Sequence, residues 1–180
     1  MRVRVSLLAS AVLALALAAG AQAALPTTHS TLIVPVKSLA GVKLGASLAS
    51  ATTAWGKGGT CSDSGCNYES AKDKDGTASF IVAQTSTTAP IKVVKVSIEA
   101  GLMSLAYGAK KNFDTSLDRF KTANGIGIGS TVSKLKHAYP HIKKSNANLF
   151  DLPGPGESVT LFEIEEGRVA GISMQSIHLG

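Results

Sequence analysis

The sequence predicts an α+β fold made of two tandem repeats, each a short helical unit followed by an antiparallel sheet. Three observations support this prediction. A segment of the chain occurs twice, each copy contains a helix start signal, and segments with strand-like composition follow each copy. We assign the first repeat to residues 32–100 and the second to residues 113–180, with a linker at residues 101–112 between them.

The internal repeat is the strongest of these observations. Residues 40–56 align with residues 124–140 without a gap when the sequence is shifted by 84 positions. The matched pairs are Gly41 with Gly125, Val42 with Ile126, Leu44 with Ile128, Gly45 with Gly129, Ser47 with Thr131, Leu48 with Val132, Ala54 with Ala138 and Trp55 with Tyr139. Glycines, apolar residues, a hydroxyl and an aromatic ring in one frame indicate two copies of one structural unit.

Each copy predicts one short helix. Ser47 and Thr131 can cap a helix, because a hydroxyl there accepts a hydrogen bond from an N–H of the first turn. Apolar residues follow at the i, i+3, i+7 spacing that lines one helix face. They are Leu48, Ala51 and Trp55 in the first copy, and Val132, Leu135 and Tyr139 in the second. We expect Gly56 and Pro140 to end the two helices.

The amino terminus has the three parts of a secretory signal peptide. Residues 1–5 are basic, residues 6–20 are almost entirely Ala, Leu and Val, and Ala21-Gln22-Ala23 fits a cleavage site. The apolar run is short for a membrane span, although an uncleaved anchor is the alternative. We expect a signal peptide at residues 1–23 and a flexible leader at residues 24–31. The protein should be secreted or periplasmic, with no integral membrane segment after cleavage.

The charge of the chain argues against nucleic-acid binding. The sequence has 18 Lys and Arg against 12 Asp and Glu, and loss of Arg2 and Arg4 with the signal peptide would leave 16 against 12. The basic residues are dispersed in pairs such as Lys143 and Lys144. Nucleic-acid binding proteins instead cluster basic residues and place aromatic residues among them. We therefore expect no nucleic-acid partner.

Cys61 and Cys66 are the two cysteines of the sequence. Two cysteines in an exported protein are expected to pair as a disulfide. A Cys-x4-Cys metal site is the alternative, but the sequence lacks two further ligands for it. Ser145 stands in register with Cys61 in the second copy, so the predicted bridge belongs to the first repeat alone.

Strands are predicted after each helix. Composition and alternation place them at residues 78–84 and 91–99 in the first repeat, and at residues 158–164 and 169–176 in the second. Because side chains alternate between the two faces of a strand, one set should face the helices. This set is Phe80, Val82, Val94, Val96 and Ile98 with Phe162, Ile164, Ala170, Ile172 and Met174.

No catalytic residue, cofactor site or metal site is predicted. The glycines at residues 125–129 lack the spacing of a dinucleotide fingerprint and the Lys-Ser/Thr of a phosphate loop, so we interpret them as turn residues. His137 and His141 have a helical metal spacing, but Pro140 lies between them and a surface pair is expected. Residues 71–82, aligned as a calcium loop, lack acidic residues at both ends.

A family resemblance rests on several features together. They are the signal peptide, the segment Gly41-Val-Lys-Leu-Gly-Ala-Ser-Leu48, the pair Trp55-Gly56, the nearby disulfide and the second copy of the unit. The chain resembles the secreted, tandem-repeat proteins of the β-lactamase inhibitory protein-like fold, which are common exported bacterial proteins. The resemblance implies a helix-loop-helix and an antiparallel sheet in each repeat, with the two sheets forming a curved face. Members that inhibit β-lactamases use an aromatic-rich sheet face. With one Trp, three Tyr and five Phe, this chain is not assigned that activity.

Two functions from different classes follow as hypotheses. The favoured one is a secreted, non-enzymatic protein that binds another extracellular or cell-envelope protein, without a cofactor. The alternative is an exported enzyme with a composite site, in which a cleft would gather His137, His141 or His178 with a carboxylate.

A mixed sheet face is the predicted binding surface. The side chains that alternation turns away from the helices are more apolar than a fully solvated sheet face requires. The candidate partner face consists of Ile81, Val93, Lys95, Leu161, Glu163 and Val169. The alternative is that other parts of the chain cover these apolar side chains.

Overall fold

A computed structural model describes residues 24–69, 76–84, 87–100 and 117–176. The predicted signal peptide at residues 1–23 and the predicted linker at residues 101–112 lie outside the described residues, as does His178.

The described chain contains two short helices and twelve strands. In chain order they are β1 (Leu32–Val34), β2 (Ser38–Leu39), β3 (Val42–Lys43), α1 (Leu48–Trp55), β4 (Thr60–Ser62), β5 (Gly65–Glu69), β6 (Gly76–Ala83), β7 (Lys92–Ala100), β8 (Lys121–Thr122), α2 (Val132–Ala138), β9 (Lys143–Asn146), β10 (Leu149–Pro153), β11 (Ser158–Glu165) and β12 (Arg168–Ser176). The four strands predicted from the sequence correspond to β6, β7, β11 and β12, so these predictions are confirmed.

Eight of the strands form one antiparallel sheet in the order β4-β5-β6-β7-β12-β11-β10-β9. β7 and β12 join the two halves of the chain in the middle of this sheet, with Ser97 opposite Ser173 and Ile98 opposite Ile172. A smaller sheet has the order β3-β2-β1-β8, in which β1 and β8 are parallel. Both sheets therefore contain strands from each half of the chain.

The predicted α+β fold class is wrong. Within the described residues strands predominate, and helix is limited to the eight residues of α1 and the seven of α2. Segments for which no strand was predicted pair as short strands, among them β3 and β9. The halves are not separate helix-plus-sheet repeats either, because β7 and β12 pair to make one continuous sheet. The fold is mostly β and is built on antiparallel pairing.

α1 begins and ends where the sequence indicates. The Ser47 hydroxyl accepts a hydrogen bond from the Ser50 N–H at 3.2 Å, which satisfies one N–H that has no partner within the helix. Gly56 follows the helix at a φ of 79°, and its N–H donates to the Thr52 carbonyl. Glycine suits this position because a side chain would be strained at such a φ.

Trp55 connects α1 to both sheets. It is 0% exposed, and its ring meets Tyr68 of β5 and Phe80 of β6 edge-on, at 5.3 and 5.6 Å between ring centroids. Its indole Nε1 donates to the carbonyls of Leu39 and Ala40, at and just after β2. The predicted burial of Trp55 is confirmed.

α2 has the same kind of start and a different end. The Thr131 hydroxyl accepts a hydrogen bond from the Lys134 N–H at 3.2 Å, and Leu135 is fully buried against the sheet. Tyr139 follows the helix, is less deeply buried than Trp55, and lies 5.9 Å from Phe162 between ring centroids. Burial raises the pKa of the Tyr139 hydroxyl, and a hydrogen bond with the Thr122 side chain offsets part of this rise.

Two β-bulges turn a valine of each half toward the helices. The register of β6 and β7 shifts so that Val82 lies opposite Val93, and the register of β11 and β12 shifts so that Ile164 lies opposite Val169. The extra residue in a bulge interrupts the two-residue alternation of a strand. Val93 and Val169 therefore belong to the same face as the buried core.

The residues predicted to face the helices are buried in the structure. They are Phe80, Val82, Val94, Val96, Ile98, Phe162, Ile164, Ala170, Ile172 and Met174. Val94 and Ala170 are the extra residues of the two bulges, and they lie outside the connected hydrophobic core that contains Val93 and Val169.

Residues 24–31, predicted to be a flexible leader, make several backbone hydrogen bonds. The Ala24 N–H donates to the Gly58 carbonyl at 2.8 Å, and the Thr27 N–H donates to the Trp55 carbonyl at 3.1 Å. These contacts place the segment beside the end of α1. The flexibility of this segment stays a prediction.

Cys61 and Cys66 form a disulfide, as the sequence indicates. The two residues lie directly opposite each other in the β4–β5 pair, at one edge of the long sheet. Cys61 is exposed and Cys66 is buried next to Thr52 of α1. The bridge therefore links an edge strand to the strand that packs against the helix.

Candidate binding face

The candidate site lies on the face of the eight-stranded sheet that points away from α1 and α2, which we call the outer face. On the four central strands it includes Ser79, Ile81, Lys95, Ser97, Glu99, Leu161, Glu163, Gly171 and Ser173. One row of opposite residues crosses all four strands, from Ser79 through Ser97 and Ser173 to Leu161. The outer face is therefore contiguous across both halves of the chain.

Four of the six residues predicted for the partner face lie on the outer face. They are Ile81, Lys95, Leu161 and Glu163. Ile81 is 44% exposed, whereas Val93 is 2% and Val169 is 0% exposed. The assignment of Val93 and Val169 to this face is wrong, because the two bulges reverse the orientation that strict alternation would give them. The use of the face by a partner stays a prediction.

A cavity of about 240 Å³ lies at the centre of the outer face, over the junction of β7 and β12. Its lining combines three aliphatic residues, two carboxylates and one amine with two small residues. These are Leu149, Leu161, Glu99, Glu163, Lys95, Ser173, Gly171 and Ile172. A mixed lining of this kind can bind a side chain that has both an apolar part and a charged part.

Gly171 leaves room for the acidic side chains of the cavity. A Cβ at this position would lie 3.1 Å from Oε2 of Glu163 and 3.4 Å from Cγ of Glu99. Glu99 and Glu163 stand opposite Gly171 on its two neighbouring strands. The missing side chain thus lets both carboxylate side chains approach the same point on the sheet.

The cavity is negatively charged at one end. Within the described part of the chain, neither Glu99 nor Glu163 has a hydrogen-bond or ion-pair partner, and the same holds for Lys95 at the other end. Desolvation raises the pKa of the nearby Glu165 carboxyl, and the charges of Glu163 and Glu166 raise it further. Carboxylates this close together, with no cation paired to them, concentrate negative potential at the β11 end of the cavity.

Small residues form the floor beside the cavity. The Ser79 and Ser97 hydroxyls are hydrogen-bonded at 2.9 Å, and Ser97 is only 2% exposed.

Asp151 of β10 lies opposite Leu161 in register, and it accepts a hydrogen bond from the Ser145 hydroxyl. The other oxygen of Asp151, Oδ1, is buried with no hydrogen-bond partner among the described residues. Asp151 is thus a third carboxylate on this side of the sheet.

The aromatic residues of the described chain lie away from the outer face. Trp55, Tyr68, Phe80, Phe120, Phe150 and Phe162 are buried, and Tyr139 packs against Phe162. Among the described residues, no aromatic side chain therefore lies on the outer face.

The histidines of the rival enzyme hypothesis are not brought together by the described residues. His137 and His141 are exposed near the end of α2, and His178 is outside the described chain. Among the residues that the structure describes, no group of three His, Cys, Asp or Glu is placed to hold a metal. The enzyme hypothesis stays a prediction.

Sequence reasoning missed two residues of the cavity, Glu99 and Leu149, whereas strand alternation placed Gly171 on this face. Glu99 is the last residue of a predicted strand, and no strand was predicted at Leu149. Gly171 did carry a usable signal, because an isolated glycine inside a strand often marks a bulge or the close approach of another group. The bulge and the approach of Glu163 both occur there.

Comparison of the chain with protein-family models, with curated proteins and with solved structures finds no match. The two described helices, α1 and α2, are too short to cross a membrane.

Proposed function

We propose that this protein is a secreted or periplasmic, non-enzymatic protein that binds another extracellular or cell-envelope protein through the outer face. The observation that carries the proposal is the cavity at the centre of this face, where Leu149 and Leu161 lie beside charged groups that have no partner in the described chain. Protein interfaces combine apolar area with polar groups in this way.

The arrangement of the outer face supports binding at its centre. Ile81 is a large apolar side chain that is 44% exposed at the end of β6 nearest Lys95. Residues that bind a partner most strongly are usually near the middle of an interface, in pockets that exclude water once the partner is in place. The cavity provides such a pocket, and Ile81 provides apolar area at its border.

Export is part of the same proposal. A disulfide persists in oxidising compartments, which suits a chain that has a signal-like amino terminus. The mass of the intact secreted protein tests this step. It should correspond to loss of residues 1–23 and of the two thiol hydrogens, whereas a mass that retains residues 1–23 would contradict export by cleavage.

The family resemblance supports protein binding only by analogy. Proteins of the β-lactamase inhibitory protein-like fold present a sheet face to their targets, and we propose that this chain does the same. Inhibition of a β-lactamase is not proposed, because the aromatic side chains of the described residues are buried or packed away from the outer face.

Site-specific photocrosslinking tests the proposal. A benzoylphenylalanine replaces Ile81 on the outer face in one variant and Ser133, an exposed residue of α2, in the matched control. Cells that export each variant are irradiated and the covalent adducts are identified by mass spectrometry. We expect a protein adduct from position 81 that position 133 does not give.

A second substitution shows whether the adduct reports a specific complex. Leu161→Glu places a charge in the aliphatic wall of the cavity and should abolish the adduct from position 81, because the partner loses the apolar surface on which it packs. Equal adducts from positions 81 and 133, or an adduct that Leu161→Glu leaves unchanged, would overturn the assignment of the outer face.

A further inference from the structure

The cavity of the outer face has two chemically distinct parts. Leu149 and Leu161 form an aliphatic wall, and Glu99 and Glu163 present carboxylates over Gly171. Lys95 lies on the same strand as Glu99, four residues away, which is a separation of about 13 Å along an extended strand. The backbone of Lys95 is therefore distant from the site between the carboxylates, and its amine forms no ion pair with either of them in the described chain.

The two carboxylates need a cation to balance them when a partner covers the cavity. In the free protein water can solvate Glu99 and Glu163, because neither has a partner in the described chain. An interface that excluded this water without supplying a counter-charge would be strongly unfavourable. A partner that binds here must therefore bring donors to these carboxylates.

We propose that the cavity binds an arginine side chain that the protein partner presents. The planar guanidinium has five N–H donors and matches carboxylate oxygens in pairs, whereas the ammonium of lysine acts as a compact point charge. The methylene stem of arginine is apolar and can pack on Leu149 and Leu161. This inference rests on the proposed function of the outer face and specifies the chemistry of the partner.

Gly171 is the position that makes the binding site possible. Any side chain there would be within 3.4 Å of both Glu99 and Glu163, so it would fill the place where the guanidinium should lie. The backbone of Gly171 has no left-handed φ. Alanine is therefore compatible with the strand backbone, and its added Cβ displaces the Glu163 and Glu99 side chains above it.

Titration with small probes tests the proposal without the natural partner. The peptide acetyl-Gly-Arg-Gly-amide is added to the ¹⁵N-labelled secreted protein, and amide resonances are followed by NMR. The control peptide contains citrulline, which has nearly the same shape as arginine and no charge. We expect saturable shifts at the Gly171 and Ser173 amides with arginine and none with citrulline.

Variants of the protein locate the binding site of the probe. Glu99→Gln and Glu163→Gln should each weaken the affinity for the arginine peptide by about tenfold, because each removes one charged hydrogen-bond acceptor. Gly171→Ala should weaken it by a similar factor while leaving the charge unchanged. Glu69→Gln is the matched control, since Glu69 is an exposed carboxylate on the same sheet that accepts a hydrogen bond from Asn67.

The outcomes separate this inference from the proposed function. Absence of saturable binding, equal binding of the citrulline peptide, or loss of binding in Glu69→Gln equal to that in Glu163→Gln would overturn the arginine site. A photocrosslink from position 81 would leave the broader function standing in each of those cases. Conversely, specific arginine binding without any crosslinked protein would support the cavity and contradict the proposed use of the outer face.

Discussion

Replacement of Trp55 by alanine should be among the most destabilising single substitutions in this protein. The side chain is 0% exposed and contacts Tyr68 and Phe80 edge-on. Its indole N–H also donates to carbonyls at the end of β2. Trp55 therefore connects α1 to both sheets, and its removal affects packing and hydrogen bonding together.

The expected loss follows from these contacts. Truncation of a buried tryptophan to alanine costs about 3–5 kcal/mol, because apolar area is lost and a cavity remains. The free energy of unfolding of an ordinary domain is about 5–15 kcal/mol, so Trp55→Ala removes a large part of it. Trp55→Phe keeps an aromatic ring near Tyr68 and Phe80 but loses the N–H donor, and it should cost about 1–3 kcal/mol.

Urea unfolding followed by far-ultraviolet circular dichroism measures both variants. This signal is used because Trp55 is the one tryptophan of the sequence, so its fluorescence disappears with the substitution. Thr53→Ala provides the control on the same helix. Thr53 is exposed and its hydroxyl bonds within α1, so its loss should change the free energy of unfolding by less than about 0.5 kcal/mol.

The measured free energies of unfolding show whether Trp55 is a central core residue. The expected order of destabilisation is Trp55→Ala, then Trp55→Phe, then Thr53→Ala. If Trp55→Ala lost less than about 1 kcal/mol with an unchanged urea dependence, Trp55 could not be a central core residue. If Trp55→Ala does not fold, the intermediate value of Trp55→Phe still tests the reasoning.

The disulfide, the β-bulges, the turn at Gly45 and the buried Tyr68 each give one further prediction. Replacing both cysteines by serine should lower the free energy of unfolding by about 2 kcal/mol in urea titrations, the entropy value for so short a loop, and an unchanged midpoint would contradict this. Val93→Thr should cost about 1–3 kcal/mol because it buries a hydroxyl, while Ile81→Thr on the outer face should cost far less; equal losses would mean that the bulge orientation is wrong. Gly45→Ala should cost about 1–2 kcal/mol from backbone strain alone, since φ is 79° and nothing lies within 4 Å of the added Cβ; a neutral result by thermal unfolding would refute that origin. Burial raises the pKa of the Tyr68 hydroxyl above 10.0, so the unfolded chain ionises first, and this contribution to stability is complete below pH 10 and is lost as the pH rises through the folded pKa. Tyr68→Phe should therefore flatten the decline in melting temperature at alkaline pH, and an unchanged slope would exclude Tyr68 as its source.

Features with local signals could be predicted from the sequence. The hydroxyls at Ser47 and Thr131 identified the starts of both helices, because a cap is decided by one side chain and the next turn of backbone. The long strands were identified by composition and alternation, and the disulfide by the presence of two cysteines in a chain predicted to be exported. None of these features depends on contacts between distant parts of the sequence.

Features that depend on pairing between distant segments were missed. A two-residue strand such as β2 or β3 has no periodicity to detect, so the extent of sheet and the mostly-β class were not apparent. The junction of β7 and β12 brings together segments from opposite halves of the chain. Because the cavity lies over this junction, Glu99 could not be associated with Glu163 and Gly171 from the sequence alone.

The repeated glycines explain how the helices determine the two faces of the sheet. The Gly45 N–H donates to the Val93 carbonyl at 2.8 Å, and the Val93 N–H donates to the Ala46 carbonyl at 2.7 Å. In the second half, the Gly129 N–H donates to the Val169 carbonyl at 2.8 Å, and the Val169 N–H donates to the Ser130 carbonyl at 2.8 Å.

Each glycine has a φ of 79°, which lets the turn before the helix point its backbone groups at the bulged strand. These hydrogen bonds hold Val93 and Val169 beside the helix starts, where their side chains enter the core. The same bonds occupy backbone groups that a regular ladder would have used, which stabilises the bulges. With both valines in the core, the outer face keeps its charged residues and the small residues beneath the cavity. The motif that repeats in the sequence therefore acts on the outer face indirectly, by fixing the direction in which the strand side chains point.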